Sequence, residues 1–183
     1  MIKAIITDFD GTLADTFEAN LKAYQKAFSE IGKELTAESY KACFGLRFDR
    51  FMEVMGITER ETAIRIKELK KEYYSLFFDC LHPNQALIEL IGSLKQLGVK
   101  VAIASTARKE NLMNALNYLD VVGLFDLIYT AQDVKQGKPS PEIYDKTMAA
   151  LRVRPADTLI FEDSEVGILA AKASGAHFIK ITF

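Results

Sequence analysis

From residue 86 onward the sequence switches repeatedly between two hydrophobic periods, and this alternation constrains the fold more than any other feature. Apolar positions at three-four spacing predict helices over 86–97, 110–119, 141–151 and 165–174. Between and after them lie short apolar runs, VKVAIAS, FDLIYTA, TLIFEDS and HFIKITF, and a further run, MIKAII, opens the chain. Short strands alternating with helices indicate a parallel sheet joined by right-handed crossovers, an α/β, Rossmann-like core.

Residues 16–81 break the alternation. Leu21, Tyr24, Ala27, Phe28 and Ile31 mark an amphipathic helix closed at Gly32, and SYKACF and RFDRFMEVM mark shorter ones. Ile64, Ile66, Leu69, Tyr73, Leu76 and Phe77 mark a longer helix. No strand pattern occurs in this block. An all-helical insertion after the first strand of an α/β sheet predicts two domains, a core of 1–15 with 82–183 and a small helical cap of 16–81, hinged near 14–16 and 81–83. A chain of 183 residues with 49% hydrophobic content is large enough to bury such a core.

The net charge of −2 and the absence of a basic block argue against nucleic acid or a membrane surface as partner and leave small molecules. Cys43 and Cys80 have no CxxC spacing, so free thiols are expected and no zinc site is read. The N-terminus lacks a charged-then-apolar signal pattern and no apolar run approaches a membrane span, which predicts a cytoplasmic location. Oligomeric state leaves no mark.

Parallel sheets bind ligands beyond the carboxyl ends of their strands, so those ends belong together. The first run ends in Asp8-Phe9-Asp10. Extended residues two apart share a face, and two carboxylates about 4 Å apart repel by roughly 4 kcal/mol at an effective dielectric near 20. A bound cation or a shared proton would offset that; alternatively Asp10-Gly11-Thr12 is a plain turn and Asp15 a helix N-cap. Ser105 and Thr106 end the next strand just before a helix, as an anion site or an ordinary cap. Lys138 sits on the loop before a helix capped by Ser140 and opened by Pro141, and TLIFEDS delivers Glu162 and Asp163. Taken together, three aspartates, a lysine and a hydroxyl at one sheet edge suit Mg²⁺ with a phosphate.

DFDGTLADT, the serine of VAIAS, the lysine of GKPSPEIY and LIFEDSEVGILAAKASG resemble, in order, the four motifs of the haloacid dehalogenase superfamily. The helical insertion resembles the small cap of the subgroup with phosphoglycolate phosphatases, sugar-phosphate phosphatases and β-phosphoglucomutases. The resemblance implies an HAD-like fold and a Mg²⁺-dependent phosphatase of small phosphomonoesters. It implies Asp8 as nucleophile, Asp10 as general acid and base, Ser105 as phosphoryl-binding hydroxyl and Lys138 as neutralising cation. It further implies Asp8, Asp163 and the Asp10 backbone carbonyl as metal ligands, with Glu162 holding a metal-bound water. Replacing Lys138 by alanine is then expected to lower the rate far more than fold stability.

The superfamily's dehalogenases lack the second aspartate, which this chain has as Asp10. A β-phosphoglucomutase has a histidine where this chain has Asn20, and Arg47 falls one position early for the mutase cap arginine. A sugar-phosphate mutase is the alternative reading, and a silent binding protein of the same fold a third. In the cap, Arg47, Arg50 and Lys67 each either meet a substrate's distal group or are ordinary solvated charges.

Overall fold

The computed structural model describes all residues, Met1–Phe183. The chain opens with strand β1 (Ala4–Thr7) and a two-residue strand, β2 (Ala14–Asp15). It then runs through helices α1 (Phe17–Ser29), α2 (Ala37–Lys41), α3 (Phe48–Val54) and α4 (Arg60–Tyr74) before returning in β3 (His82–Pro83). The remainder alternates: α5 (Gln85–Gln96), β4 (Lys100–Ala104), α6 (Lys109–Tyr118), β5 (Leu127–Tyr129), α7 (Glu142–Leu151), β6 (Thr158–Glu162), α8 (Glu165–Ala173) and β7 (His177–Lys180). Two compact units result, Met1–Asp15 with His82–Phe183 and Thr16–Leu81. No helix is long and apolar enough to cross a membrane.

In the first unit five strands pair in parallel in the order β5-β4-β1-β6-β7. Centrality follows from composition. The four residues of β1, Ala-Ile-Ile-Thr, are all buried, as a strand covered on both faces requires, whereas β7 at the edge is mostly exposed. Register aligns the strand ends. Thr7 lies opposite both Ile103 and Phe161, so β1, β4 and β6 finish level and deliver Asp8, Ala104 and Glu162 to one edge. Ala4, Ile6, Ala102, Ala104 and Ile160 pack with Ile143, Tyr144 and Met148 of α7 and with Ala170 and Ala171 of α8.

The second unit is helical throughout and has its own core of Leu21, Phe28, Tyr40, Phe51, Ile66 and Leu69. Several of its aromatic rings meet edge to face, as between Tyr24 and Phe51 with centroids 5.0 Å apart. The fourth helix is shorter than its apolar spacing predicts. It stops at Tyr74, a 3₁₀ segment covers Ser75–Cys80, and Phe77 departs from helical geometry at φ −119°, ψ 23°. Both cysteines are free and buried.

The β2–β3 ladder is absent from the sequence pattern, since two residues show no period. It pairs Ala14 with Pro83 and Asp15 with His82. Asn84 secures it, donating its backbone N–H to the Leu13 carbonyl (2.8 Å) and capping α5 by accepting the Leu87 N–H. The N-cap of α1 is Thr16, not Asp15, and Thr16 makes no side-chain capping bond.

Candidate active site

Strand β1 ends one residue before the first acid, and Asp8 is held there because its N–H donates to the Phe161 carbonyl at 3.0 Å. The chain then turns sharply: the N–H groups of Thr12, Leu13 and Ala14 all donate to the Phe9 carbonyl. Gly11 makes this turn with φ +78°, and a Cβ there would overlap the Asp163 carboxylate. Thr12, fully buried, donates its hydroxyl to Asp163 Oδ1 at 3.0 Å. Asp10-Gly11-Thr12 is therefore a turn and part of an acidic site at once. Asp10 is half-buried, and its charge acts on both Asp8 and Asp163.

Lys138 comes from the loop before α7. That loop is shaped by Glu142, whose carboxylate accepts the N–H groups of Lys135 (3.0 Å) and Gln136 (2.8 Å), while Ser140 Oγ accepts the Glu142 N–H. Lys138 is not solvated. It is 7% exposed, and Nζ donates to Asp8 Oδ1 at 2.7 Å and to Glu162 Oε1 at 2.5 Å. Glu162, with no exposed surface, also accepts the Tyr144 hydroxyl on Oε1 at 2.9 Å. Its Oε2 accepts Asp163 N–H, Ser164 N–H and the Ser164 hydroxyl.

One carboxylate oxygen from each of Asp8, Glu162 and Asp163 lies within 4.8 Å of the others, a group that could hold a metal ion. The charges do not balance, with three carboxylates facing one ammonium. Burial pushes the Asp8 carboxyl well above its ordinary range, against the pull of Lys138, and Glu162 and Asp10 add to the upward push. Asp163 is raised by burial and by Glu162. Burial works against the charged form of Lys138, but Asp8 and Glu162 outweigh it and hold the ammonium protonated. A set of hard oxygen donors short of positive charge fits Mg²⁺.

Ser105 is fully buried at the end of β4, where its Oγ accepts the Ala107 N–H at 3.0 Å. Thr106 is exposed. The first N–H of α6, that of Lys109, is taken by Gln132 Oε1 at 2.9 Å, so part of the expected helix-end anion site is already occupied by protein. In the helical unit Arg47 is exposed beside Asp49, with 3.4 Å between the charged atoms, Arg50 pairs with Glu53, and Lys67 lies 5.4 Å from the Phe48 ring centroid. Thr12, Tyr144, Gly167 and Gln132 are the positions that sequence reasoning passed over. Thr12, Tyr144 and Gly167 lie inside the quoted stretches DFDGTLADT, GKPSPEIY and LIFEDSEVGILAAKASG and could have drawn notice; Gln132 lies outside them.

A level sheet edge carrying clustered acids and a buried lysine defines a metal-assisted hydrolase of phosphate esters. The profile of the haloacid dehalogenase-like hydrolases matches residues 5–181. A phosphorylated carbohydrates phosphatase of Thermotoga maritima is 30% identical over 97% of this chain and 84% of its own length. A β-phosphoglucomutase of Bacillus subtilis is 29% identical over 98% of this chain and 83% of its own. Among solved structures, CbbY of Rhodobacter sphaeroides in complex with phosphate superposes with a TM-score of 0.88 at 27% identity, covering 100% of this chain and 87% of that one. The chain belongs to the haloacid dehalogenase-like hydrolase family.

Proposed function

We propose that the protein hydrolyses a small phosphomonoester with Mg²⁺ in two steps, through a phosphoryl group carried on Asp8. The observation that carries this reading is the buried Lys138 bridging Asp8 and Glu162 beside Asp163. Asp8 and Asp163 would hold the ion together with the Asp10 carbonyl, and the bound ion supplies positive charge that offsets the phosphate dianion. Asp8 attacks phosphorus in line, and the leaving oxygen departs with a proton from Asp10. Lys138 and Ser105 orient the non-bridging oxygens. Asp10 then takes a proton from the attacking water, so one residue serves both half-reactions.

Substrate selection is assigned to the helical unit 16–81, with Arg47 as a candidate for the substrate's distal group. The substrate is small rather than a nucleic acid, in keeping with the net charge of −2, and two free buried cysteines favour a cytoplasmic location. Likeness to a β-phosphoglucomutase supports a mutase as the second reading. Glucose 1-phosphate separates them, since a phosphatase releases phosphate and a mutase yields the 6-phosphate.

The test of the two-step chemistry uses p-nitrophenyl phosphate, whose leaving group needs little acid help. Asp10→Ala should give a burst of nitrophenol and then stall with phosphate on the enzyme, visible by intact mass after rapid quench. Steady turnover should fall by roughly 10² to 10⁴-fold. Asp8→Ala should give neither burst nor adduct. An adduct in Asp8→Ala, or parent-like turnover in Asp10→Ala, refutes the assignment.

A further inference from the structure

We infer that Tyr144 and Gly167 are positioning residues that aim Lys138 through Glu162, an inference that rests on the proposed phosphatase chemistry for its catalytic consequence. A lysine on a loop has a long stem with four rotatable bonds, and something must hold its head still for it to meet a phosphoryl oxygen. Two carboxylates do so here, Asp8 and Glu162. They are not equivalent. Once Asp8 carries the phosphoryl group, its own carboxyl oxygens hold no formal charge, and the ammonium turns from them to the charged phosphoryl oxygens. Glu162 is then the remaining carboxylate tether.

What fixes Glu162 comes from two different helices. Its Oε2 is turned onto the N–H groups of Asp163 and Ser164, which leaves Oε1 to face both Lys138 and the Tyr144 hydroxyl. Tyr144 has no exposed surface, and its ring lies 5.1 Å from Lys138 Nζ, so one side chain contacts the cation through its face and the tether through its hydroxyl. Gly167, in the first turn of α8, permits the bend. A Cβ there would overlap the Glu162 carboxylate, and any other residue would drive Glu162 off its two backbone donors. Glycine in a helix costs about 1 kcal/mol relative to alanine, so the position is not explained by helix formation.

Tyr144→Phe keeps the ring and removes the hydroxyl. The ¹H–¹⁵N signal of the Lys138 ammonium, identified by its loss in Lys138→Arg, reports on the tether without any turnover. It should be sharp in the parent and broadened or lost in Tyr144→Phe. With p-nitrophenyl phosphate the same variant should lose on the order of tenfold in kcat, as expected for one hydrogen bond to a charged group, with KM nearly unchanged and the unfolding midpoint close to the parent's. Parent-like ammonium signal and kcat overturn the role of Tyr144, even if the melting temperature falls, because that pattern is simple packing. Gly167→Ala should lower both kcat and melting temperature, but adding it to Glu162→Ala should change neither further. An equal loss in both backgrounds shows that Gly167 answers to something other than Glu162. Should the parent fail to hydrolyse any phosphomonoester, the functional reading fails alone, and the ammonium signal with the melting-temperature cycle still decides the positioning.

Discussion

Replacing Lys138 by methionine removes an ammonium while keeping most of the stem, so the change isolates charge. At an effective dielectric near 20, the attraction of Nζ for Asp8 at 2.7 Å and for Glu162 at 2.5 Å is about 6 kcal/mol each, a gross figure set against the desolvation of three buried groups. Without the lysine, Asp8, Glu162 and Asp163 remain with oxygens within 4.8 Å of one another, each pair of charges repelling by at least about 3.5 kcal/mol at that dielectric. The penalty has a ceiling, because one carboxylate can take up a proton instead. Bringing an aspartate of ordinary acidity to neutrality at pH 7 costs about 4 kcal/mol, which agrees with the roughly 3–5 kcal/mol typical of breaking a buried pair from one side. Urea unfolding in EDTA at pH 7 should therefore show a loss of that size. Because Asp8 and Asp163 are raised in the folded state, the loss should shrink as pH falls to 5, where neutralising an aspartate of ordinary acidity costs only about 1.5 kcal/mol. Saturating Mg²⁺ at pH 7 should restore much of it. A loss under about 1 kcal/mol, the same at both pH values and unaffected by Mg²⁺, would refute the view that Lys138 is the counter-charge of the acidic cluster. Sequence alone reads Lys138 as a loop cation aimed at ligand, whose loss lowers rate far more than stability; its burial between Asp8 and Glu162 adds the expectation of a sizeable loss of stability.

Chelation should abolish turnover and added Mg²⁺ should restore it, and Mg²⁺ should raise the melting temperature of the parent more at pH 8 than at pH 5. The sign comes from Asp8 and Asp163, raised by burial, which bind protons in competition with the ion; equal shifts at both pH values contradict it. Gly11→Ala combines a positive φ with overlap on Asp163, so it should weaken Mg²⁺ activation at least tenfold while leaving the helical unit's amide exchange unchanged. Glu142 is pulled down to about 2 by the N–H groups of Lys135 and Gln136 and then by Lys146. Its hold on the Lys138 loop is thus present above the ordinary carboxyl value and lost as pH falls through about 2. Glu142→Gln should speed amide exchange at 135–136 at neutral pH, and parent-like protection there shows that the loop is held by other contacts.

Much of this protein is legible in one dimension because its governing rules are local. Periods of two and 3.6 residues reflect which face of an element is buried, so the strand–helix alternation and the all-helical block at 16–81 can be read without coordinates. Parallel strands all point one way, which means that residues ending successive apolar runs, Asp8, Ser105 and Asp163, share an edge once the sheet forms. Where local rules compete, the reading slips. The spacing of Leu76 and Phe77 continued a helix that the chain leaves at Tyr74. Two-residue strands such as β2 and β3 have no period to detect, and they form only because Asp15 and His82 are brought together across the whole inserted block. The burial of Lys138 and the convergence of Tyr144, Gly167 and Thr12 on Glu162 and Asp163 belong to tertiary structure alone. Thr12 and Asp163 are 151 positions apart, and a hydrogen bond between them depends on the level register of β1 and β6, which no window of sequence contains.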